Sequence, residues 1–193
     1  MFFRDLKPKP VQMDVRLAEV RLPVRLGHRD ASKVFGEPLS QQLAAAALGT
    51  VTKVRAHESG PDDVCGVTLY LGLRDSSLNA LNTIARMLEY LHAPHGSSIR
   101  LTEGGAPIVF GISEGLELSV DSEIAPNAHT RRHLAKSCAE AMNGMAVSHG
   151  WAKREDRTIF YFYGENFQKM QNRLGQLLKA NPHLRGAVSR RLA

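Results

Sequence analysis

Cysteine is nearly absent from this sequence: Cys65 and Cys138 are the only two in 193 residues. Two thiols make no disulfide framework of the kind that holds small secreted domains together. Tryptophan is rarer still, with Trp151 alone, and aromatic residues make up only 6% of the chain. No apolar run approaches the ~18 residues that cross a bilayer as a helix. The opening Met1-Phe2-Phe3-Arg4-Asp5-Leu6-Lys7-Pro8 holds no uninterrupted apolar stretch after its charges, which argues against a secretory signal. The usual signatures of chemistry are missing too. There is no phosphate loop of the form G-x-x-x-x-G-K-S/T, no H-E-x-x-H and no C-x-x-C. These absences lead to the expectation of a soluble, cytoplasmic, globular protein that is not an enzyme and carries no cofactor or metal.

What is present fits a folded chain: 43% hydrophobic and 23% charged residues, close to ordinary globular usage. Lysine and arginine number 25 against 19 acidic residues, a net charge of +6, and the sequence pI is about 9.6. Nucleic acid is the first partner such a pI suggests. The excess is unevenly placed, however. From Lys169 onward there are six basic residues and no acidic one, so the charge is weighted to the C-terminal end.

The chain reads twice. Val20-Arg21-Leu22-Pro23-Val24 has the period of a strand, and so does Leu116-Glu117-Leu118-Ser119-Val120 at an offset of 96. Each is followed by an alanine-rich helical run, Leu39–Leu48 before Gly49 and Arg131–Asn143 before Gly144, glycine being the usual helix terminator. Two strand-like segments follow in each half: Thr50–Ala56 with Val64–Leu73, and Met145–Lys153 with Arg157–Tyr163. The later members align at an offset of 90, through Thr68/Thr158, Leu69/Ile159 and Tyr70/Phe160. An amphipathic helix comes next, carrying Leu81, Ile84, Leu88 and Leu91 in one half and Leu174, Leu177 and Leu178 in the other. Short strands at Ser98–Leu101 and Ala187–Leu192 close the units.

The order β-α-β-β-α-β, found twice, predicts an α+β fold of two tandem ferredoxin-like repeats with a pseudo-twofold relation. The expected boundaries are 15–103 for the first repeat, 104–111 for a connector and 112–193 for the second. Within the connector, Ile108–Phe110 has the character of a further strand.

A ferredoxin-like sheet has one face under its helices and one face open. Alternation puts Val20, Leu22 and Val24 under the helices and leaves Arg21, Pro23 and Arg25 outside. In the second unit Leu116, Leu118 and Val120 go in, and Glu117, Ser119 and Asp121 go out. On the third strands, the offset of 90 places Val67, Leu69 and Leu71 with Ile159, Tyr161 and Tyr163 inside. Tyr70, Phe160 and Phe162 then fall on the open faces. Two arrangements follow from this: the open faces pack together or form one continuous sheet, or together they make a groove for a partner.

The remaining polar residues have structural readings. His129 and His133 are four apart at a predicted helix start, a legitimate metal spacing without a third ligand, and solvated histidines are the favoured reading. Cys65 and Cys138 read as small core residues rather than nucleophiles. For nucleic acid, Phe160 and Phe162 on a third strand suit base stacking. The stretch Arg157–Tyr163 nonetheless lacks the glycine-punctuated RNA-recognition pattern, and open-face acids in the second unit would repel phosphate.

The segment Glu114–Asp121, the helix after it, Trp151, and Thr158-Ile159-Phe160-Tyr161-Phe162-Tyr163-Gly164 resemble immunity proteins of bacterial polymorphic-toxin and secretion-system loci. Val67–Leu71 and Leu91-His92-Ala93-Pro94-His95-Gly96 are similar as well. The resemblance implies a small non-enzymatic protein, monomer or homodimer, that neutralises a cognate toxin by forming a stoichiometric complex. Aromatic and arginine side chains dominate such contacts, so the candidate partner-binding residues are Arg21, Arg25, Tyr70, Trp151, Phe160 and Phe162. The +6 charge disfavours a basic partner surface. Nucleic acid or a small ligand on an open sheet face is the alternative.

Overall fold

The computed structural model describes residues 15–60 and 63–192. The first unit begins with β1 (Arg16–Leu22), then a helical stretch made of α1 (His28–Ala31), a π-helical turn (Ser32–Gly36) and α2 (Glu37–Ala45). The hairpin β2 (Gly49–Gly60) and β3 (Asp63–Leu73) follows, then α3 (Leu78–Tyr90), β4 (Ser97–Leu101) and β5 (Ile108–Phe110). The second unit runs β6 (Glu114–Asp121), α4 (Ala128–Ala141), β7 (Ala146–Arg154), β8 (Arg157–Gly164), α5 (Phe167–Ala180) and β9 (Val188–Leu192). The strands form two antiparallel sheets, ordered β2-β3-β1-β4-β5 and β7-β8-β6-β9. Each contains the ferredoxin-like order, so the fold is α+β with two tandem βαββαβ repeats. The connector's strand, β5, adds a fifth member to the first sheet by pairing with β4.

Local chemistry explains the element ends. The Ser77 hydroxyl accepts the Ala80 N–H at 3.2 Å and opens α3, and Asn166 does the same for α5 through the Lys169 N–H at 2.9 Å. Helix α4 ends through Asn143 and Gly144, both at positive φ. Its counterpart α2 differs from the sequence expectation. There the left-handed residue is Ala47, at φ 55°, and Gly49 opens β2 instead. Gly49 is needed for proximity, because a Cβ on it would meet the Gly72 carbonyl oxygen at 2.2 Å.

The first core is as the alternation predicts. Val20, Leu22, Leu69 and Leu71 of the sheet pack on Leu39 and Leu43 of α2 and Ile84 and Leu88 of α3, all fully or almost fully buried. In the second unit the first strand also behaves as expected, with Leu116, Leu118 and Val120 turned to the helices. The third strand does not. Phe160 and Phe162 lie in the helix-covered core with Cys138, Met170 and Leu174, and Ile159, Tyr161 and Tyr163 face the other way, into the core of the first unit. The reason is register: Leu116 pairs with Phe162 and Leu118 with Phe160, and directly opposed residues share a face. An alignment wrong by an odd number of residues turns every side chain over, and the even offset of 90 on this strand is wrong by an odd number.

The same inversion decides how the units meet. The open faces neither pack on each other nor merge into one sheet. The helix-free side of the second sheet lies instead on the helical stretch of the first unit. Phe35, in the π-helical turn, is fully buried there and meets the ring of His149 edge-on at 5.3 Å. The Arg25 N–H donates to the Tyr163 hydroxyl at 3.3 Å across the seam. A parallel bridge joins Pro94 to Ser113. The helix-free face of the first sheet is left uncovered by any described residue of the second unit.

Candidate binding surface

That uncovered face is built by alternate residues of four strands. On β1, Glu19 and Arg21 alternate with buried Val20 and Leu22. On β3, Thr68 and Tyr70 sit opposite Arg21 and Glu19. On β4, Ser98 and Arg100 pair with the same two residues from the other side. On β2 a register shift between Val51 and Lys53 resets the pleat, after which Lys53 opposes Tyr70 and Arg55 opposes Thr68. Four cations, Arg21, Lys53, Arg55 and Arg100, therefore share one face with a single acid, Glu19, among the described residues of these rows.

The polar groups are organised around two of these residues. Glu19 accepts Arg100 Nη2 at 2.9 Å and lies 3.7 Å from Arg21 Nη2, which holds both guanidinium groups over the centre of the sheet. The Lys53 ammonium stands 5.9 Å from the centroid of the half-buried Tyr70 ring, within the range of a cation–π contact. His57 Nε2 and Thr68 Oγ1 are 2.8 Å apart. The result is a shallow concavity of about 510 Å³ lined by Glu19, Arg21, His57, Thr68, Tyr70 and Ser98. It can bind a flat, acidic surface or a chain of anions.

The sequence-predicted residues separate into three places. Arg21 and Tyr70 come together on this face. Arg25 lies beyond the end of β1, in the seam, where its guanidinium also donates to the Val64 carbonyl at 3.4 Å. Phe160 and Phe162 are fully buried in the second core, so neither is an exposed anchor. Trp151 is half-buried over the same core, its ring 6.4 Å from that of Phe160. Lys53, Arg55 and Arg100 were missed by the sequence reading, although Lys53-Val54-Arg55-Ala56-His57 alternates openly. His129 and His133 line a separate concavity of about 370 Å³ beside α4, and among the described residues no group of three or more His, Cys, Asp or Glu is placed to hold a metal. No helix among the described residues is long and apolar enough to cross a membrane.

No protein-family model and no curated protein matches the chain. Among solved structures it is similar to an unknown protein from Galdieria sulphuraria, with 12% identity over 93% of this chain and 100% of that one, at a TM-score of 0.32. It is similar to the regulatory subunit of aspartate kinase from Thermus thermophilus, with 17% identity over 84% and 93% of the two chains and a TM-score of 0.27. The first two RRM domains of a yeast poly(U) binding protein give 10% identity over 92% and 99%, at a TM-score of 0.29. Likenesses this distant carry no weight for function.

Proposed function

We propose that this protein is a non-enzymatic inhibitor that neutralises a cognate bacterial toxin, in the cytoplasm, by stoichiometric binding. The observation that carries the reading is the uncovered sheet face, where Arg21, Lys53, Arg55 and Arg100 surround Tyr70. Arginine and tyrosine are the side chains that dominate protein interfaces, and the excess of cations selects an acidic partner surface. The resemblance of the strands and turns to immunity proteins supplies the class of partner. Size-exclusion chromatography with a toxin domain encoded by a neighbouring gene, if that gene is found, tests the reading. A one-to-one complex is expected, and Arg21→Glu with Arg55→Glu should abolish it while leaving the melting temperature in place. Absence of a complex at micromolar concentrations would sink it.

A second reading has its own support. The acids that spoke against nucleic acid, Glu117 and Asp121, are on the other sheet, away from this face. A third-strand tyrosine flanked by cations suits single-stranded RNA, with stacking and phosphate contacts together. Fluorescence anisotropy on a labelled single strand separates the two readings. RNA binding lost in Tyr70→Ala and weakened steeply by salt would favour the second.

A further inference from the structure

The helix-free face of the second sheet is covered by the first unit over part of its length only. Beyond Ile159 it opens into a basin of about 650 Å³, floored by Glu117, Ser119, Ile159 and Val188. That volume is in the range of small-molecule sites, and the basin is separate from the basic face of the first sheet.

Two opposite charges are fixed in it. The Glu117 side chain is only 6% exposed, and its Oε1 accepts Arg190 Nη2 at 2.9 Å, while the Arg190 side chain is 63% exposed. A carboxylate this deep is costly to desolvate, and one ion pair leaves it capacity to accept further hydrogen bonds. The guanidinium of Arg157 is clamped by the chain around it: Nε donates to Ser119 Oγ at 3.0 Å, and Nη2 donates to the carbonyls of Ser119 and Gly186, each at 3.0 Å. Glu117 and Ser119 are two residues apart on β6, about 7 Å along a strand. A buried anion and a clamped cation thus line the same basin, with apolar Ile159 and Val188 beside them.

We propose that this basin binds a small zwitterion, an α-amino acid with an apolar side chain. Its ammonium donates to Glu117, its carboxylate accepts from Arg157, and its side chain lies along Ile159 and Val188. An anion alone would face the Glu117 carboxylate, and an amine alone would leave Arg157 unused. The lining carries both signs, four cations (Lys153, Arg154, Arg157 and Arg190) against three acids (Glu117, Glu155 and Asp156).

Isothermal titration of the full chain with L-leucine tests this, with 3-methylbutylamine and 4-methylpentanoate as its decarboxylated and deaminated counterparts. Leucine is expected to bind at least about tenfold more tightly than either, and Glu117→Gln and Arg157→Gln should each weaken it by about tenfold or more. Val188→Trp, at an exposed position, fills the basin without touching a core and should also abolish binding, which keeps the test usable if a Glu117 variant does not fold. No heat from leucine at roughly 10 mM, equal binding of 4-methylpentanoate, or leucine binding unchanged in Val188→Trp would overturn the proposal.

Discussion

The imidazole of His149 lies 4.6 Å from the ring of Tyr163, centroid to centroid and tilted by 32°. The pair sits in the seam between the two units. His149 is 3% exposed, and its Nδ1 has no hydrogen-bond partner among the described residues. Burial, aided by the nearby charge of His92, pushes its pKa down from 6.5 to about 3. The unfolded chain therefore takes up this proton more readily than the native one. Stability is intact above about pH 6.5 and falls as the pH drops toward 3, by roughly 1.4 kcal/mol per pH unit at most. Urea denaturation should show a loss of about 2 kcal/mol between pH 7.5 and pH 5. His149→Phe should remove most of that slope, and an equal slope in the variant would reject the assignment.

Phe160 and Tyr70 should behave oppositely on truncation. Phe160→Ala opens a cavity among Leu118, Met170 and Leu174 and should cost about 3–5 kcal/mol. Tyr70→Ala, on the uncovered face, should cost under about 1 kcal/mol. Thermal melts of the two variants check the order, and a stable Phe160→Ala protein would mean that the ring is not in the core.

Gly111, the last residue of the connector, packs against the first unit at a place with no room for a side chain. Its φ is +104°, and a Cβ there would meet the Pro94 carbonyl oxygen at 2.0 Å. Gly111→Ala is expected to lose at least about 2 kcal/mol, whereas Gly104→Ala, with nothing within 4 Å of the added Cβ, meets only the strain of its positive φ. Comparing their melting temperatures measures the difference.

The two thiols should react in sequence. Cys65 is exposed and Cys138 buried, and burial pushes the Cys138 thiol up to about 12. A thiolate is the reactive form, so titration with a disulfide reagent should label Cys65 in the native protein and Cys138 only as urea unfolds it. Labelling of both at the same native rate would contradict the packing of α4.

Much of this architecture was legible. The order of elements, both hairpins and the extra strand at Ile108–Phe110 follow from periodicity and turn residues. The face of β1 was legible because Arg21 alternates with Val20 and Leu22. On β8 that contrast vanishes: Ile159 to Tyr163 are all apolar or aromatic, so nothing in their alternation marks an inside. An unbroken apolar run is itself the mark of a strand buried on both sides, and here one side is closed by α4 and α5 and the other by the first unit. The binding face was half legible for a similar reason. Arg21 and Tyr70 could be placed from the alternation of their own strands. Lys53 and Arg55 alternate as plainly, but the face they join is set by the register shift after Val51, which no local pattern announces.

Because β3 keeps a bare side while β8 is covered on both, strands that look interchangeable in the sequence answer to different demands. A substitution at Tyr70 is judged by whatever meets that surface. A substitution at Tyr161 is judged by the fit between the two halves of the molecule. In a library covering every position, β3 should accept polar replacements at every second residue, and β8 should refuse them at almost every one from Ile159 to Tyr163. The second half of the chain thus gives up the freedom to vary so that the first can keep it.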